Sequence, residues 1–492
     1  MNSTARFRRS CSSRAALAIE YAQSTRMTDP LDRKLVARLW RTLGTSERAL
    51  DQLSIEGPCG LLPSVFAVDT LATSAVALSL LSIAELAAAR RGGAVPAVQI
   101  DRRQAAVLFR SERYVQPLDW EQPPLLDALM GDYRTRSGFI RLHTNYPYHR
   151  AALLNVLGVV DARAAVTAAV SAYDSEELED AVVAAGGCAA AMRTPTDWQT
   201  HEQGRALSHE ALFELQTRPA TLDLPALTPA ELPLCGVRVL DLTRVIAGPI
   251  ATRLLAAYGA EVLRIDPPGF QEVPALLSET TVGKRRAFLD LKSAQGRTRL
   301  DLLLRRAHVL VYGGRHGALD RLGFTREHLL DLNPSLIFVR ENAYGFTGPW
   351  AHRRGFDSLV QMSIGLAQRG MEALDANKPV SLPAQALDHA TGYLLAAAVC
   401  TALTRGLREQ RACETRTSLA RCGALLMALG EPGDPRCPDM TAHDIAPYLQ
   451  EADTGFGRVR RVGPARGIAG ISPTWTLAAG PLGVDAPAWS TA

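Results

Sequence analysis

Between Cys235 and Gly345, short apolar, β-branched runs alternate with stretches of helical pattern, and this alternation limits the possible folds more than any other feature of the chain. Val237 to Leu242 (VRVLDL) reads as a strand, Pro249 to Tyr258 as a helix, and Ala260 to Asp266 (AEVLRID) as the next strand. RAFLDL (Arg286 to Leu291), HVLVYG (His308 to Gly313) and LIFVRENAYG (Leu336 to Gly345) extend the series. Strands separated by helices connect by crossovers, so the expected product is an α/β unit with a parallel, Rossmann-like sheet. A dinucleotide site in such a sheet needs a glycine-rich turn after the first strand. Here that turn is Thr243 to Pro249 (TRVIAGP), which lacks GxGxxG, so nothing marks it for a nicotinamide.

The remaining sequence is compatible with a soluble globular protein. Hydrophobic residues make up 47% and charged residues 21% of the 492, too apolar for a disordered chain. Lys+Arg and Asp+Glu number 54 and 50, a net charge of only +4, which does not suit a dedicated nucleic-acid or polybasic membrane binder. The 8 cysteines show no CxxC spacing, which argues against a zinc site and a disulfide framework and fits a reducing cytosol. The most apolar stretch, Thr70 to Ala84, is flanked by Asp69 and Glu85 and falls short of the ~20 residues a bilayer requires. It reads as a buried core helix. Residues 1–26 are rich in Arg and Ser with the single acid Glu20; they read as a dispensable extension before Met27, or as a transit peptide.

Prolines punctuate the chain at Pro219, Pro225, Pro229 and Pro233. The expected units are a leader (1–26), a mostly helical unit (27–225), a linker (226–235), the α/β unit (236–430) and a Gly- and Pro-rich closing segment (431–492). A faint repeat links the two large units. LPSVFAVDTLATSAVALSLL, from Leu62, and LPAQALDHATGYLLAAAVC, from Leu382, each place an Asp at the start of a long small-residue helix. These are Asp69 and Asp388, and at the same offset Arg102 meets Arg421. By local sequence alone, both aspartates could be helix caps.

Five ordered segments carry a resemblance to a known family. They are VRVLDLTRVIAGPIATRLLAAYGAEVLRIDPPG, GKRRAFLDLK, NPSLIFVRENAYGFTGPW, RRGFDSLVQMSIGL and ALDHATGYLLAAAVCTAL, spread over 236 to about 427. Together they resemble the family III CoA-transferases of the CaiB/BaiF type. The tail GFGRVRRVGPARGIAGISPTWTLAAGPLGVDAPAW resembles that family's closing segment. The first unit, with the Asp69 helix, SGFIRLHTNYPYHRAALLNVLGV and SEELEDAVVAAGGCAAAMRTPTDWQTHEQGRAL, resembles the family's catalytic helix, small domain and returning segment, without a Rossmann half before them. The chain thus reads as a rearranged tandem of family halves: a Rossmann-like large domain with a parallel sheet plus a smaller α+β domain.

The resemblance implies a CoA-transferase that moves CoA from an acyl-CoA thioester to a carboxylic acid. Asp388 matches the family's nucleophilic aspartate, which forms a mixed anhydride and then an enzyme–CoA thioester. A helix N-terminus is expected to keep that carboxylate ionised and to leave amides for the tetrahedral oxyanions. Arg264, Lys284, Arg285 and Arg315 match basic positions around the CoA site, although each could be a solvated surface charge. The segment YGGRHG (Tyr312 to Gly317) departs from the usual Asn-Phe-Arg-Pro-Gly, keeping Arg315 but not the aromatic or the proline. Asp69 reads as structural or vestigial. Phe356-Asp357 stands where the racemase branch carries a histidine before the Asp, and phenylalanine cannot move a proton.

His143, Tyr146, Tyr148 and His149 form a polar-aromatic cluster without a third metal ligand nearby, so packing or substrate contact is expected rather than metal binding. No cofactor is expected beyond the coenzyme A thioester as substrate. The expected partners are acyl-CoA and a small carboxylic acid, with no nucleic acid and no membrane. The expected assembly is a homodimer or an intramolecular pseudo-dimer, and the expected location is the cytoplasm. The alternatives are an acyl-CoA racemase or isomerase of the same family and a non-catalytic CoA-binding paralogue.

Overall fold

The structure, a computed structural model, describes residues 30–43, 46–228 and 230–490; the expected leader, 1–26, lies outside them. In chain order, β1 (Leu53–Glu56) and β2 (Val98–Asp101) form a small parallel pair joined through the helix α1 (Val68–Arg91). β3 (Gln116–Pro117) follows, then the antiparallel sheet β4 (Gly131–Arg134), β5 (Phe139–Leu142) and β6 (Ala189–Ala191). Helix α2 (Pro147–Leu157) and two further helices over 163–184 pack on that sheet, and their core is separate from the main one. This is the small α+β domain.

The large sheet is built from β7 (Glu214–Pro219), β8 (Arg238–Leu242), β9 (Glu261–Asp266), β10 (Lys284–Phe288), β11 (Val309–Tyr312), β12 (Ile337–Asn342) and β13 (Arg411–Ser418). Its spatial order is β10-β9-β8-β11-β12-β13-β7. The six strands from β8 to β13 are mutually parallel, and only β7 runs antiparallel, along β13. The parallel strands take the order 3-2-1-4-5-6, so the direction of winding reverses between β8 and β11. Ligands of open α/β sheets bind at that point, beyond the carboxyl ends of the strands.

The helix of the first unit and its counterpart in the second form the centre of the molecule. α1 and α5 (Ala386–Glu409, following α3, Ala247–Ala257, and α4, Asp357–Ser363) are each 24 residues long and buried over most of their length. Both are long and apolar enough to cross a membrane by length and composition, yet both are buried inside the protein. α1 extends beyond the stretch Thr70 to Ala84 because the apolar Leu86, Ala87 and Ala88 continue it past Glu85, and Gly92 ends it in the left-handed conformation. A helix apolar on all sides must be covered on all sides. α5 supplies one cover, since α1 and α5 lie in one core cluster. Their contact includes Thr401 Oγ1 and Ser82 Oγ at 3.4 Å, a pair separated by 319 residues, the same spacing as Asp69 and Asp388.

The expected unit boundaries at 225 and 430 do not separate independent bodies. β7, from the first unit, is an edge strand of the second unit's sheet. β14 (Leu449–Thr454) and β15 (Gly457–Val462) of the closing segment continue onto β3 of the first. The expected linker is held down: Arg90 Nη1 donates to the carbonyls of Pro233 (3.0 Å) and Cys235 (2.7 Å), and Arg91 Nη2 donates to that of Glu231 at 2.5 Å.

Candidate active site

A cavity of about 540 Å³ opens at the carboxyl edge of the large sheet. Residues at or just beyond the ends of β8 (Leu242, Arg244), β9 (Asp266), β11 (Tyr312 to Arg315) and β12 (Glu341, Asn342) line it, together with Asp388. The turn after β8 is tight rather than glycine-rich. Val245 sits there at φ 65, a conformation unfavourable for a β-branched residue, and its amide donates to Glu272 Oε2 at 3.0 Å.

Asp388 lies in the first turn of α5 and is 7% exposed, at the cavity wall. The expected free amides are not free. Asp357 Oδ2, from α4, accepts from the amides of Leu387 (2.8 Å) and Asp388 (3.0 Å), and its other oxygen accepts from Gln361 Nε2. Nor does the helix end hold Asp388 at an ordinary carboxylate value. Burial raises its pKa well above that range, and the charges of Asp357, Glu341 and Glu112 push the same way. Glu112 is paired with His389 at 2.9 Å. Burial also raises Asp357 to about 6 and Glu341 to about 7. The desolvation of several carboxyls in one place exceeds the half-charge of a helix dipole.

A stability consequence follows from Glu341. Its folded pKa lies above its ordinary 4.5, so the folded chain holds a proton that the unfolded chain releases as pH rises. The stability this contributes is full below about pH 4.5 and is lost as pH passes 7. Glu341→Gln is therefore expected to stabilise the protein by about 2 to 3 kcal/mol more at pH 8 than at pH 5, measured by urea unfolding. An equal effect at the two pH values would show that the carboxyl is not buried in a protonated state.

Of the four expected CoA-binding cations, only Arg315 lines the cavity. Arg264 is 0% exposed and is held by Asp266 (2.8 Å) and Glu272 (3.1 Å). Lys284 is likewise 0% exposed, bonded to Asp241 Oδ2 at 3.0 Å and to the Pro249 carbonyl at 3.1 Å. Burial pulls its ammonium down to about 8. Arg285 points to the closing segment, donating to the Ala488 carbonyl at 2.8 Å. These three cations are held by carboxylates and carbonyls of the protein and do not line the cavity.

The cavity draws on other cations: Arg244, Lys292, Arg353 and Arg354. Arg353 is committed to Glu179 at 2.7 Å, and Arg244 lies 3.9 Å over the Phe270 ring and 3.5 Å from Asp266. Among the described residues no carboxylate forms an ion pair with Arg315 or Arg354; burial and then the charge of Arg354 lower the proton affinity of Arg315, and Arg354 Nη1 donates to the Gly186 carbonyl at 3.1 Å. Two guanidinium groups without a carboxylate partner on one cavity suit phosphate. The Arg353-Arg354 pair was present in RRGFDSLVQ, and Arg244 stands directly after the first Rossmann strand, where a ligand turn belongs.

The polar-aromatic cluster divides. Tyr146, Tyr148 and His149 line the cavity, whereas His143 stacks on Phe356 with ring centroids 3.6 Å apart. Burial lowers His143 to about 3 and His149 to about 4, so both rings are neutral at pH 7. Tyr146 donates to Glu272 Oε1 at 2.5 Å, tying the small domain to the β8 turn. Asp69, by contrast, does not line this cavity. Its Oδ2 accepts from the Leu61 amide at 2.8 Å and pins the loop before α1.

Residues 234–431 match the family model described as CoA-transferase family III. The acetyl-coenzyme A transferase nodX of Hypoxylon pulicicidum is 35% identical over 177 residues, covering 35% of this chain and 30% of the relative. The probable fatty acyl-CoA transferase Rv3272 of Mycobacterium tuberculosis is 34% identical over 193 residues, covering 37% of this chain and 48% of its own. A crystal structure of the latter overlays with a TM-score of 0.38 at 34% identity, over 40% of this chain and 56% of that one. The chain thus spans less than half the length of these two curated relatives. The matched region contains β8 to β13, Asp388, Asp357, Glu341, Arg315 and Arg354. The small domain, with Tyr146, Tyr148 and His149, lies outside it, yet supplies one wall of the cavity.

Proposed function

We propose that this protein transfers coenzyme A from an acyl-CoA thioester to a carboxylic acid, with Asp388 as the covalent nucleophile. The observation that carries the reading is the placement of Asp388, within the region that matches the family model, on a cavity that is also lined by Arg315 and Arg354, neither of them in an ion pair among the described residues. Relatives named for acetyl-CoA and fatty acyl-CoA transfer support the same class.

In this mechanism a phosphate of CoA pairs with Arg315 and Arg354 at the rim, and the thioester reaches inward to Asp388. An ionised Asp388 oxygen attacks the thioester carbon. The intermediate collapses with loss of CoA thiolate and leaves an acyl–aspartyl anhydride. The thiolate then attacks the aspartyl carbonyl, the acyl group departs as a carboxylate, and Asp388 carries CoA. An acceptor carboxylate attacks that thioester, and the steps reverse. Asp357 is occupied by two amides and Gln361, so it orients the first turn of α5 rather than reacting. Phe356, stacked on His143, has no proton to exchange, which disfavours the racemase alternative.

We further infer that one chain makes one such site, with α1 standing where the partner's helix would stand in a homodimer, and that the enzyme is cytoplasmic; the absence of disulfides among the described cysteines is compatible with that location. Trapping tests the reaction. Acyl-CoA followed by borohydride or hydroxylamine should inactivate the protein and leave a mass change on the peptide containing Asp388. Inactivation without acyl-CoA, or none with a panel of acyl-CoAs, would overturn the reading.

A further inference from the structure

β12 reads Ile337-Phe338-Val339-Arg340-Glu341-Asn342, and Glu341 is a buried carboxyl near its carboxyl end. It is 8% exposed and faces the cavity that holds Asp388. No hydrogen bond or ion pair engages its carboxyl among the described residues, whereas the neighbouring Asn342 is satisfied at both ends by Gly345. Its Oε1 rests against the backbone of Gly313, where a Cβ would come within 2.4 Å, so β11 leaves a place for it. A buried carboxyl without a partner is costly and calls for an explanation.

The transfer chemistry proposed above requires a hydrogen-bond donor for the thioester carbonyl oxygen beside Asp388. Attack on a thioester moves the carbonyl π pair onto oxygen, and the resulting oxyanion needs hydrogen-bond donors. The amides of Leu387 and Asp388 at the helix start are taken by Asp357. We propose that protonated Glu341 donates the hydrogen bond that holds the thioester carbonyl oxygen while Asp388 attacks. The proton stays on Glu341 throughout. The C=O pair moves to oxygen as the Asp388–carbon bond forms, and it returns as the carbon–sulfur bond breaks and CoA leaves as thiolate. This role rests on the transfer reading and adds a residue to it.

Several groups determine where the proton resides. Asp388 on α5, Asp357 on α4 and Cys422 on α6 (Leu419–Ala428) feel the charge of Glu341 or share its surroundings. Asp266 and Tyr312 line the same cavity, with Arg244, Lys292, Arg315, Arg353 and Arg354 as its cations. Amide bonds favour ionised Asp357, and burial favours a proton on Glu341 or Asp388. The reactive form has Asp388 ionised and Glu341 protonated, so acylation should rise and then fall with pH.

The test is single-turnover acylation of the full chain by acetyl-CoA and a longer acyl-CoA, followed by trapping, between pH 5 and 9. Glu341→Gln keeps a neutral donor, and Glu341→Leu removes it. The glutamine variant is expected to acylate within about tenfold of the unaltered protein and to lose the alkaline fall in rate. The leucine variant is expected to lose about 100-fold or more in rate while binding CoA within about twofold. If Asp388 takes the acyl group but the leucine variant matches the unaltered rate, or the glutamine variant keeps the alkaline fall, this role is wrong and the transfer reading stands. If the unaltered protein takes no acyl group from either donor, both fall together.

Discussion

Asp388→Asn is expected to abolish CoA transfer, lowering turnover by at least ~1,000-fold, while CoA binding and the fold are kept. The amide is the same size, and α5 is not capped by Asp388: its first amides are held by Asp357. Nothing structural is therefore lost, and removal of a buried ionisable group should leave the melting temperature unchanged or higher. Only the anionic nucleophile disappears. The control is Asp69→Asn, in the first turn of α1. There the carboxylate accepts from the Leu61 amide, a bond that an asparagine oxygen can also accept, so turnover should change by less than about threefold. Steady-state transfer assays with calorimetric CoA binding read both variants. The reverse pattern, with Asp69 essential and Asp388 neutral, would put the reaction in the first unit.

The second large effect concerns stability. Glu279 is 0% exposed and binds two arginines from different segments, Arg253 on α3 and Arg461 on β15, the latter at 2.9 Å. Arg461 Nη1 also donates to the Ser278 carbonyl at 2.8 Å, Arg253 Nη2 donates to Ser111 Oγ at 3.1 Å, and both guanidinium groups lie over Trp475. The carboxylate thus joins the Rossmann-like half to the closing segment, and Arg253 extends the cluster to Ser111 of the first unit. Glu279→Ala strands two buried cations beside each other. The expected loss is about 3 to 5 kcal/mol, measured by urea unfolding, with the double variant Glu279→Leu, Arg461→Leu recovering part of it. A loss below about 1 kcal/mol would mean that solvent reaches the cluster.

These two variants also mark what could be read from the chain alone. Asp388 was legible because its significance depends on neighbours in sequence: five ordered motifs precede or contain it, and a helix pattern follows at once. Glu279 was not, because its partners are Arg253, in another helix, and Arg461, far along the chain. Asp357 was noticed in GFDSLVQ as a departure from a racemase pattern, but its task, occupying the two amides expected to serve the oxyanion, required α4 to be brought against the start of α5. Glu341 could have been found as an acid at the carboxyl end of a parallel strand, where ligands of such sheets bind.

The sequence by itself determined the parallel α/β order, the absence of a dinucleotide turn, the two long apolar helices and the aspartate at the head of each. All of these follow from local pattern, since alternation, turn residues and helix starts are written within a few residues of one another. Only the tertiary structure decided which charges face ligand. Arg264, Lys284, Arg285 and Arg315 are alike as residues, yet the first three are bound to protein groups and the last lines the cavity. It also decided that α1 covers α5 and that the 27–225 unit supplies an edge strand and a cavity wall to the other. The physical reason is that a buried charge takes its role from whatever shares its desolvated space. That partner is chosen by chain packing across hundreds of residues and leaves no periodicity in the sequence.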